Sequence, residues 1–255
     1  MFTTTLWEYP SQHYDLDVNG RRSSMQGSKD YAGATPSWVI WQLLTRYTRE
    51  GDLIVDPMAG SGTTLDVARD LKRRALGYDL TPSREDIFRA DARTLPVEDG
   101  KADFVFIDPP YSTHIKYSDD PRDIGRLDAG GGEDGGRGYY EAMDRVIAEC
   151  HRILKNRRYM ALYVSDSWRK RKGGDPGSGA GVFMPIGFEL FALLRARFKP
   201  IDIIAVVRQN QKLERGNWRK AAEEGNFFLR GFNYLFIVKK EELFIVKKGE
   251  SGPTA

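Results

Sequence analysis

The chain has 255 residues, which is enough for one α/β domain with a sizeable buried core and too few for two full ones. Hydrophobic residues make up 40% and charged residues 29%, as in ordinary globular proteins, and the net charge of +3 does not by itself indicate a nucleic-acid partner. No stretch approaches the roughly 18 apolar residues of a membrane span, and residues 1–10 lack the pattern of a signal peptide. We therefore expect a cytoplasmic protein with no membrane partner.

The first half of the chain alternates between strand and helix patterns. Residues 1–34 are predicted to be irregular, and Thr35-Pro36-Ser37 then opens a helical pattern that ends at Gly51. Strands are predicted at DLIVD, ALGYD, IFRAD and ADFVFID, with a glycine loop and the helix LDVARDLKRR after the first of them. This alternation predicts a parallel, doubly wound sheet.

The second half contains long polar segments between further helices and strands. We treat residues 1–255 as a single domain with candidate substrate-recognition loops at 112–138, 168–184 and 209–231 and a tail at 241–255. The first loop contains DAGGGEDGGRG, a composition that is not expected to pack a core. Between the loops, helices are predicted at about Tyr139–Leu154 and at PIGFELFALLRARF, and strands at YMALYVSD, IDIIAVVR and FNYLFIVKK. We assign no function to the repeat of LFIVKK.

Two segments concentrate positive charge. Arg152–Lys172 and Arg208–Lys220 each carry several bases and one acid. Basic clusters in loops suit phosphate contacts, although a solvated surface explains each cluster about equally well. The candidate nucleic-acid-binding residues are Arg169, Lys170, Arg171, Lys172, Lys212, Arg215 and Arg219.

Cysteine and histidine usage points away from metal or thiol chemistry. Cys150 is the single cysteine and lies on a predicted amphipathic helix, so we expect a buried structural thiol rather than a nucleophile. His13, His114 and His151 show no metal-ligand spacing. We predict no metal site.

A glycine-rich loop follows the first buried strand. It reads Asp56-Pro57-Met58-Ala59-Gly60-Ser61-Gly62-Thr63-Thr64. Ligands of open α/β sheets bind beyond the carboxyl ends of the strands, and glycine lets the backbone approach a ligand closely. The loop lacks the GxxxxGK[ST] pattern, which disfavours a phosphate-gripping P-loop, but a dinucleotide site or a tight structural turn would also use such glycines.

Two acids end the next two strands. Asp79 lies where a carboxylate accepts from ribose hydroxyls, and Asp91 lies where it would reach the adenine end of a nucleoside. Either acid alone could instead form a turn or cap a helix. Together with the glycine loop they predict a nucleoside-containing cofactor.

The tetrapeptide Asp108-Pro109-Pro110-Tyr111 follows the fourth strand at the same edge of the sheet. Two prolines fix φ and remove two backbone donors, so the chain leaves the sheet as a stiff element whose carbonyls can accept. The Asp108 carboxylate and the Pro109 carbonyl would accept the two N–H groups of an exocyclic base amine and turn its lone pair toward a methyl donor. An extruded base would stack on Tyr111. A proline-stiffened turn is the alternative explanation.

These two motifs resemble those of the S-adenosylmethionine-dependent amino-methyltransferases that modify DNA, at adenine N6 or cytosine N4. DPMAGSGTT resembles the cofactor motif of that family, DPPY its catalytic motif, and ATPSWVIWQLL the helix entry before the cofactor motif. The resemblance is specific from about Gly33 to Tyr111 and rests on the strand pattern beyond. It implies a Rossmann-like methyltransferase fold, an α/β fold with a seven-stranded, mostly parallel sheet, an antiparallel last strand and helices on both faces.

The resemblance also assigns residue roles. Thr35 and Pro36 would lie on the carboxylate side of S-adenosylmethionine, Asp79 would hold its ribose, and Asp91 would hold its adenine. The methionine end would be lined by Asp56, Pro57, Gly60, Ser61, Gly62 and Thr63. The target base would be held by Asp108, Pro109, Pro110 and Tyr111.

The resemblance leaves the substrate partly open. An aspartate at the head of the tetrapeptide is typical of adenine enzymes, whereas cytosine enzymes more often carry serine, so DNA adenine is favoured. The chain has no room for a large target-recognition domain, so the loops or a partner must recognise the substrate, and a homodimer stays open. The main alternative is an RNA methyltransferase acting on guanine N2 or adenine N6. A non-catalytic nucleic-acid-binding subunit and an oxidoreductase are disfavoured by the intact Asp108 and by DPPY, respectively.

Overall fold

The computed structural model describes residues 1–9, 26–28, 31, 33–130, 135–169, 182–208 and 216–241. The helices are α1 (Ser37–Tyr47), α2 (Thr63–Asp70), α3 (Arg137–Ile153), α4 (Ile186–Arg195) and α5 (Gly216–Glu224). The strands are β1 (Leu6–Trp7), β2 (Leu53–Asp56), β3 (Arg74–Asp79), β4 (Ile87–Arg89), β5 (Ala102–Ile107), β6 (Leu154–Val164), β7 (Ser167–Arg169), β8 (Val182–Met184), β9 (Lys199–Val207) and β10 (Phe232–Lys239).

The main sheet has eight strands in the order β1-β9-β10-β6-β5-β2-β3-β4. From β6 to β4 every neighbouring pair is parallel, whereas β10 is antiparallel to both β6 and β9. The predicted Rossmann-like sheet is thus confirmed, including the hairpin that β10 forms with β9. The sheet has one strand more than expected, because Leu6–Trp7 pairs in parallel with β9. These two residues belong to the segment 1–34, which was predicted to be irregular.

Both faces of the sheet are covered by helices, which explains the almost uninterrupted apolar sequence of the central strands. All six residues of β5 are buried, and they alternate between the two sides. Val105 and Ile107 pack in the layer that contains α3 and α4, while Phe104 and Phe106 pack in the layer that contains α1 and α2. Cys150 lies fully buried in the first layer, as its place on the apolar face of α3 predicts.

Three segments predicted as helix or loop differ from the expectation. Helix α2 stops at Asp70 because Lys72 turns into the left-handed region at φ 57°, and β3 then begins at Arg74. The flanks of the predicted loop 168–184 pair as the antiparallel ribbon β7–β8. The predicted loop 209–231 contains α5.

The segment after β5 contributes two residues to the core, and one of them, Ala129, belongs to DAGGGEDGGRG, which was not expected to pack a core. Ile124 and Ala129 are buried against the layer that contains α3, and short 3-10 turns form at Ser112–His114 and Ile124–Arg126. The second copy of LFIVKK lies outside the described residues, as does the tail after Glu241. Within the described part of the chain, no helix combines the length and the apolar character needed to cross a membrane.

Candidate active site

The carboxyl ends of β2, β3 and β5 meet at one edge of the sheet and open onto a cavity of about 950 Å³, a volume that includes its mouth. Of the residues selected from the sequence, the cavity is lined by Thr35, Asp56, Pro57, Gly60, Ser61, Thr63, Asp79, Asp91, Asp108 and Pro110. The other four, Pro36, Gly62, Pro109 and Tyr111, are sequence neighbours of lining residues but do not line the cavity themselves.

Asp56 shapes the glycine loop from beneath. Its Oδ1 accepts from the backbone N–H of Met58 at 3.0 Å, and its Oδ2 accepts from the Thr64 hydroxyl at 2.6 Å. Burial raises the pKa of Asp56 to about 7, against the lowering effect of these two hydrogen bonds. Because both oxygens are engaged inside the protein, Asp56 holds the loop in position at the start of α2.

The glycines of the loop are required by backbone conformation and by close neighbours. Gly60 and Gly62 have φ values of 47° and 80°, which side chains resist. A Cβ on Gly62 would lie 2.6 Å from Nη1 of Arg84. The Arg84 guanidinium in turn donates to Asp66 and Asp86 at 2.7–2.9 Å, so it covers the loop and ties it to the segment after β3.

Asp79 at the end of β3 is fixed by two backbone donors. Its Oδ2 accepts from Gly60 N at 3.1 Å, and its Oδ1 accepts from Thr81 N at 2.9 Å. Burial raises its pKa, although both hydrogen bonds oppose the shift. A carboxylate has about four acceptor positions, so Asp79 keeps lone pairs for hydroxyl groups in the cavity.

Asp91 also faces the cavity, and Arg93 engages it through a two-pronged contact. Nε and Nη2 of Arg93 donate to the two carboxylate oxygens at 2.9 and 2.7 Å. Burial by itself would raise the pKa of Asp91, but the arginine outweighs it and holds the pKa below its ordinary value. Asp91 is therefore an ionised, rigidly held acceptor at the wall of the cavity.

Asp108 is held by two hydroxyl groups. Oδ2 accepts from the Thr35 hydroxyl at 2.6 Å, and Oδ1 accepts from the Tyr111 hydroxyl at 2.8 Å. Burial raises the pKa of Asp108 to about 7, while both hydrogen bonds and the charge of Arg208 act in the opposite direction. The hydroxyl groups of both Thr35 and Tyr111 thus donate to Asp108, while the cofactor role expected for Thr35 and the base-holding role expected for Tyr111 stay predictions.

The second proline of the tetrapeptide is fixed from the opposite side. The buried hydroxyl of Tyr139, on α3, donates to the carbonyl of Pro110 at 2.8 Å. Tyr111 packs its ring against the core that contains α3. The tetrapeptide is thus attached to the body of the protein at both ends, with Asp108 and Pro110 facing the cavity.

Several lining residues were not found from the sequence, among them Tyr31, Tyr117 and Asp123. Tyr31 lies against Gly60 and stacks on Tyr117, with ring centroids 6.1 Å apart. Asp123 accepts from Ser118 N and Oγ at 3.0 Å and from Gly125 N at 2.8 Å, and so folds the segment after β5 over the cavity. Their segments lack helix or strand periodicity, so the sequence carries no pattern that would have singled them out.

The charge of the cavity fits a cationic cofactor. Five carboxylates line it, from Asp56, Asp79, Asp91, Asp108 and Asp123, and its described lining contains no lysine or arginine. S-adenosylmethionine carries a sulfonium and an ammonium group, which this lining complements, whereas a pyrophosphate-containing cofactor would be repelled. Among the described residues, no three metal-ligating side chains come together as a metal site.

Only two of the candidate nucleic-acid-binding residues lie in the described part of the chain. Arg169 ends β7, and Arg219 is exposed on α5. The others, Lys170, Arg171, Lys172, Lys212 and Arg215, lie outside the described residues. Their assignment stays a prediction.

Comparison with known proteins supports the same chemistry. The N6/N4 methyltransferase family profile, described as DNA methylase, matches residues 2–90 and 102–250. The Type II methyltransferase M.MthZI of Methanothermobacter thermautotrophicus is 28% identical over 89 residues, which is 33% of this chain and 25% of that protein. The Type II methyltransferase M2.DpnII of Streptococcus pneumoniae is 46% identical over 44 residues, 17% of this chain and 16% of that protein. The chain therefore matches a quarter or less of the length of these relatives.

Solved structures share the fold at low sequence identity. TrmN from Thermus thermophilus superposes with a TM-score of 0.51 at 18% identity, over 82% of this chain and 50% of that chain. The [4+2]-cyclase SpnF superposes with a TM-score of 0.50 at 17% identity, over 90% of this chain and 86% of that chain. At these identities the likeness concerns the fold alone, which it confirms.

Proposed function

The chain belongs to the N6/N4 DNA methylase family, and from that premise we propose that it methylates the exocyclic amine of a base in DNA, namely adenine N6. The observation that carries the proposal is the position of Asp108, which faces the same cavity as the glycine loop and Asp79 while two hydroxyl groups hold it. The aspartate at the head of the tetrapeptide favours adenine over cytosine, because it is typical of the adenine enzymes that the sequence resembles.

S-adenosylmethionine supplies an electrophilic methyl group when it is bound. The residues that would hold it are those of the glycine loop, with Asp79 and Asp91 as acceptors for its hydroxyl and amino groups. Tyr31 would pack over the loop from its position against Gly60. The negative lining attracts the cation before contact and raises its concentration in the cavity.

Asp108 would orient the base amine. Thr35 and Tyr111 each donate to a different carboxylate oxygen, so each oxygen keeps a lone pair for an N–H of the amine. Accepting from the amine turns its lone pair out of conjugation with the ring and stabilises the positive charge that develops on nitrogen. Because both oxygens are anchored, this acceptor is set in place before the base arrives and needs no reorganisation.

Asp108 would also receive a proton. The nitrogen that gains a methyl group becomes cationic and must lose one of its protons. A carboxylate whose pKa is near 7 accepts that proton more readily at neutral pH than an ordinary aspartate does. Burial, which raises the pKa of Asp108, thus serves the second half of the reaction.

The walls of the cavity suit a flat ring that has left its duplex. A base within a duplex cannot reach Asp108, so it would be extruded. Pro110 and Tyr117, which both follow β5 in the chain, line the cavity and offer apolar surfaces to such a ring. Tyr111 acts here through Asp108, because its hydroxyl is bonded to the carboxylate and its ring packs on the core.

The test is transfer of a labelled methyl group from S-adenosylmethionine to duplex DNA, single-stranded DNA and total RNA, each offered separately. We expect label in DNA, N6-methyladenine on nucleoside analysis, and loss of label with Asp108→Ala. The matched control is Glu98→Ala, whose side chain is 81% exposed and lies before β5, at the opposite end of that strand from Asp108. Label found only in RNA, or N4-methylcytosine as the product, would refute the assignment of DNA adenine.

A second experiment separates methyl transfer from nicotinamide chemistry. S-adenosylhomocysteine and NAD would be compared in thermal-shift titrations of the wild type. We expect stabilisation by S-adenosylhomocysteine alone, because the five carboxylates oppose a pyrophosphate. Stabilisation by NAD would contradict the electrostatic argument.

A further inference from the structure

An aromatic cluster lies outside the cavity, on the ribbon that follows β6. Trp168 of β7 and Phe183 of β8 are directly opposite in the antiparallel pair, with ring centroids 5.5 Å apart. Phe227, after α5, brings its ring centroid to 5.9 Å from that of Trp168. The Arg230 guanidinium carbon lies 5.3 Å from the Trp168 centroid and 5.1 Å from the Phe183 centroid. We call these four residues the aromatic platform.

The platform faces outward where a two-stranded ribbon normally carries polar side chains. Ser167 and Met184 are buried on the inner side of the ribbon, whereas Trp168 is 40% and Phe183 is 45% exposed. Side chains alternate between the two faces of a strand. Because Ser167 and Met184 point inward, the strand pairing itself places Trp168 and Phe183 on the outer face. Large exposed aromatic side chains that stand together mark an interaction surface more often than an isolated one does.

Arg230 adds a positive charge to this surface, and its partial burial costs part of the hydration of the guanidinium. Burial lowers the pKa of Arg230, and its Nε is buried without a hydrogen-bond partner among the described residues. Nη1 donates to the carbonyl of Phe228 at 2.5 Å, which fixes the guanidinium over the two rings. A desolvated cation over aromatic faces gains from those faces and from an anionic ligand beside them.

The platform is linked through the sheet to the strand that leads to Asp108. β7 begins three residues after β6 ends, and β6 is the neighbour of β5, which leads to Asp108. Arg208, at the end of β9, donates its backbone N–H to the carbonyl of Gly231 at 2.8 Å. The charge of Arg208 lowers the pKa of both Asp108 and Arg230, so Arg208 is close enough to interact with the carboxylate and with the platform. The cofactor acids Asp79 and Asp91 follow strands on the other side of β5.

We propose that Trp168, Phe183 and Arg230 form a stacking site for an unpaired nucleobase that neighbours the target base on the same strand. The proposal rests on the proposed function, because extruding the target base leaves its neighbour without one stacking partner. Aromatic faces accept any base, and the guanidinium adds attraction to the ring and to its phosphate. The platform thus replaces the lost stacking and holds the strand open beside Asp108.

The experiment measures binding and transfer on the same oligonucleotides. Each carries the target base with either a normal or an abasic nucleotide on one side of it, and fluorescence anisotropy reports affinity in the presence of S-adenosylhomocysteine. Wild type is compared with Trp168→Ala and, as a second disruption, Phe183→Ala. The control is Phe88→Ala, an exposed aromatic on β4 at the far end of the sheet.

We expect removal of the neighbouring base to weaken wild-type binding by roughly ten- to a hundredfold, the range for one stacked base. Trp168→Ala should bind the intact oligonucleotide that much more weakly and should then be indifferent to the abasic site, whereas Phe88→Ala should behave as wild type. If removal of the neighbouring base weakens binding equally for wild type, Trp168→Ala and Phe183→Ala, the stacking proposal is wrong, even if methyl transfer persists. If base removal weakens binding by wild type but not by Trp168→Ala, and no methyl transfer occurs, the platform is supported and the proposed function is refuted.

Discussion

Replacing Asp108 by asparagine should make the protein less sensitive to alkaline pH. Burial raises the pKa of Asp108 from 3.8 to about 7, so the folded state resists ionisation that the unfolded chain undergoes freely. The stability contributed by the neutral carboxyl group is fully present below about pH 4 and is lost as the pH rises through about 7. At 1.36 kcal/mol per pH unit, the shift corresponds to roughly 4 kcal/mol in total.

The measurable part is smaller than this total. Part of the loss already occurs below about pH 5, and the side chain of Asp108 is only partly buried at the open cavity, where solvent screens its charge. Between about pH 5 and about pH 8.5, we therefore expect wild type to lose about 2 kcal/mol of unfolding free energy relative to Asp108→Asn. Urea unfolding of the cofactor-free proteins at a series of pH values measures this difference directly.

Asp103 provides a control of opposite sign. Burial would raise the pKa of Asp103, but the Leu53 backbone N–H and Lys155 outweigh burial and hold that pKa below its ordinary value. The penalty of Asp103→Asn should therefore stay constant over the same range and shrink only as the pH falls below the ordinary aspartate pKa. If the wild-type and Asp108→Asn curves run parallel from about pH 5 to about pH 8.5, the inferred burial of a near-neutral Asp108 is refuted.

Three further outcomes follow from the site and the core. Initial rates of methyl transfer should give kcat/KM values that rise about tenfold per pH unit below about pH 7, where Asp108 ionises, and a flat profile would contradict its role as acceptor. Gly77→Ala should lower the unfolding free energy by about 1–3 kcal/mol, because its Cβ would lie 2.6 Å from Cδ1 of Leu65. The control is Gly231→Ala, which has open space around it and should cost under about 1 kcal/mol in the same urea titration. Cys150 is fully buried with a raised thiol pKa, so a thiol reagent should modify it only at the rate of unfolding, and fast modification of native protein would show that the α3 layer opens.

The sequence was most informative where strands end. The apolar runs before Asp56, Asp79 and Asp108 are strong strand signals, and parallel strands place their carboxyl ends at one edge, so the meeting of these acids follows from pattern alone. Helix α5 and the ribbon β7–β8 were missed because glycine and basic residues dominate their surroundings and suggest linkers. Their structure depends on contacts between distant segments, which no local pattern encodes.

Individual side-chain roles were harder to predict than element positions. The resemblance implied a place for Thr35 beside the cofactor, but the hydrogen bond from its hydroxyl to Asp108 was not predicted, because that contact depends on how the segment before α1 crosses the end of β5. Tyr31 and Tyr117 stack across segments far apart in the chain, so neither residue alone signals the cavity. Whether such a hydrogen bond forms depends on differences of a few tenths of an ångström in the distance between two atoms. Periodicity in a sequence cannot locate atoms that precisely.

The insertion of β10 between β6 and β9 has a consequence for the order in which the protein can form. The glycine loop and Asp108 are synthesised well before Phe232–Lys239, yet β6 and β9 have no ladder between them until that last strand is available. During synthesis, the nascent chain therefore carries two open strand edges beside an already complete β4-β3-β2-β5 half. A chaperone that shields Leu154–Val164 and Lys199–Val207 would protect the interval in which the molecule is most prone to aggregate.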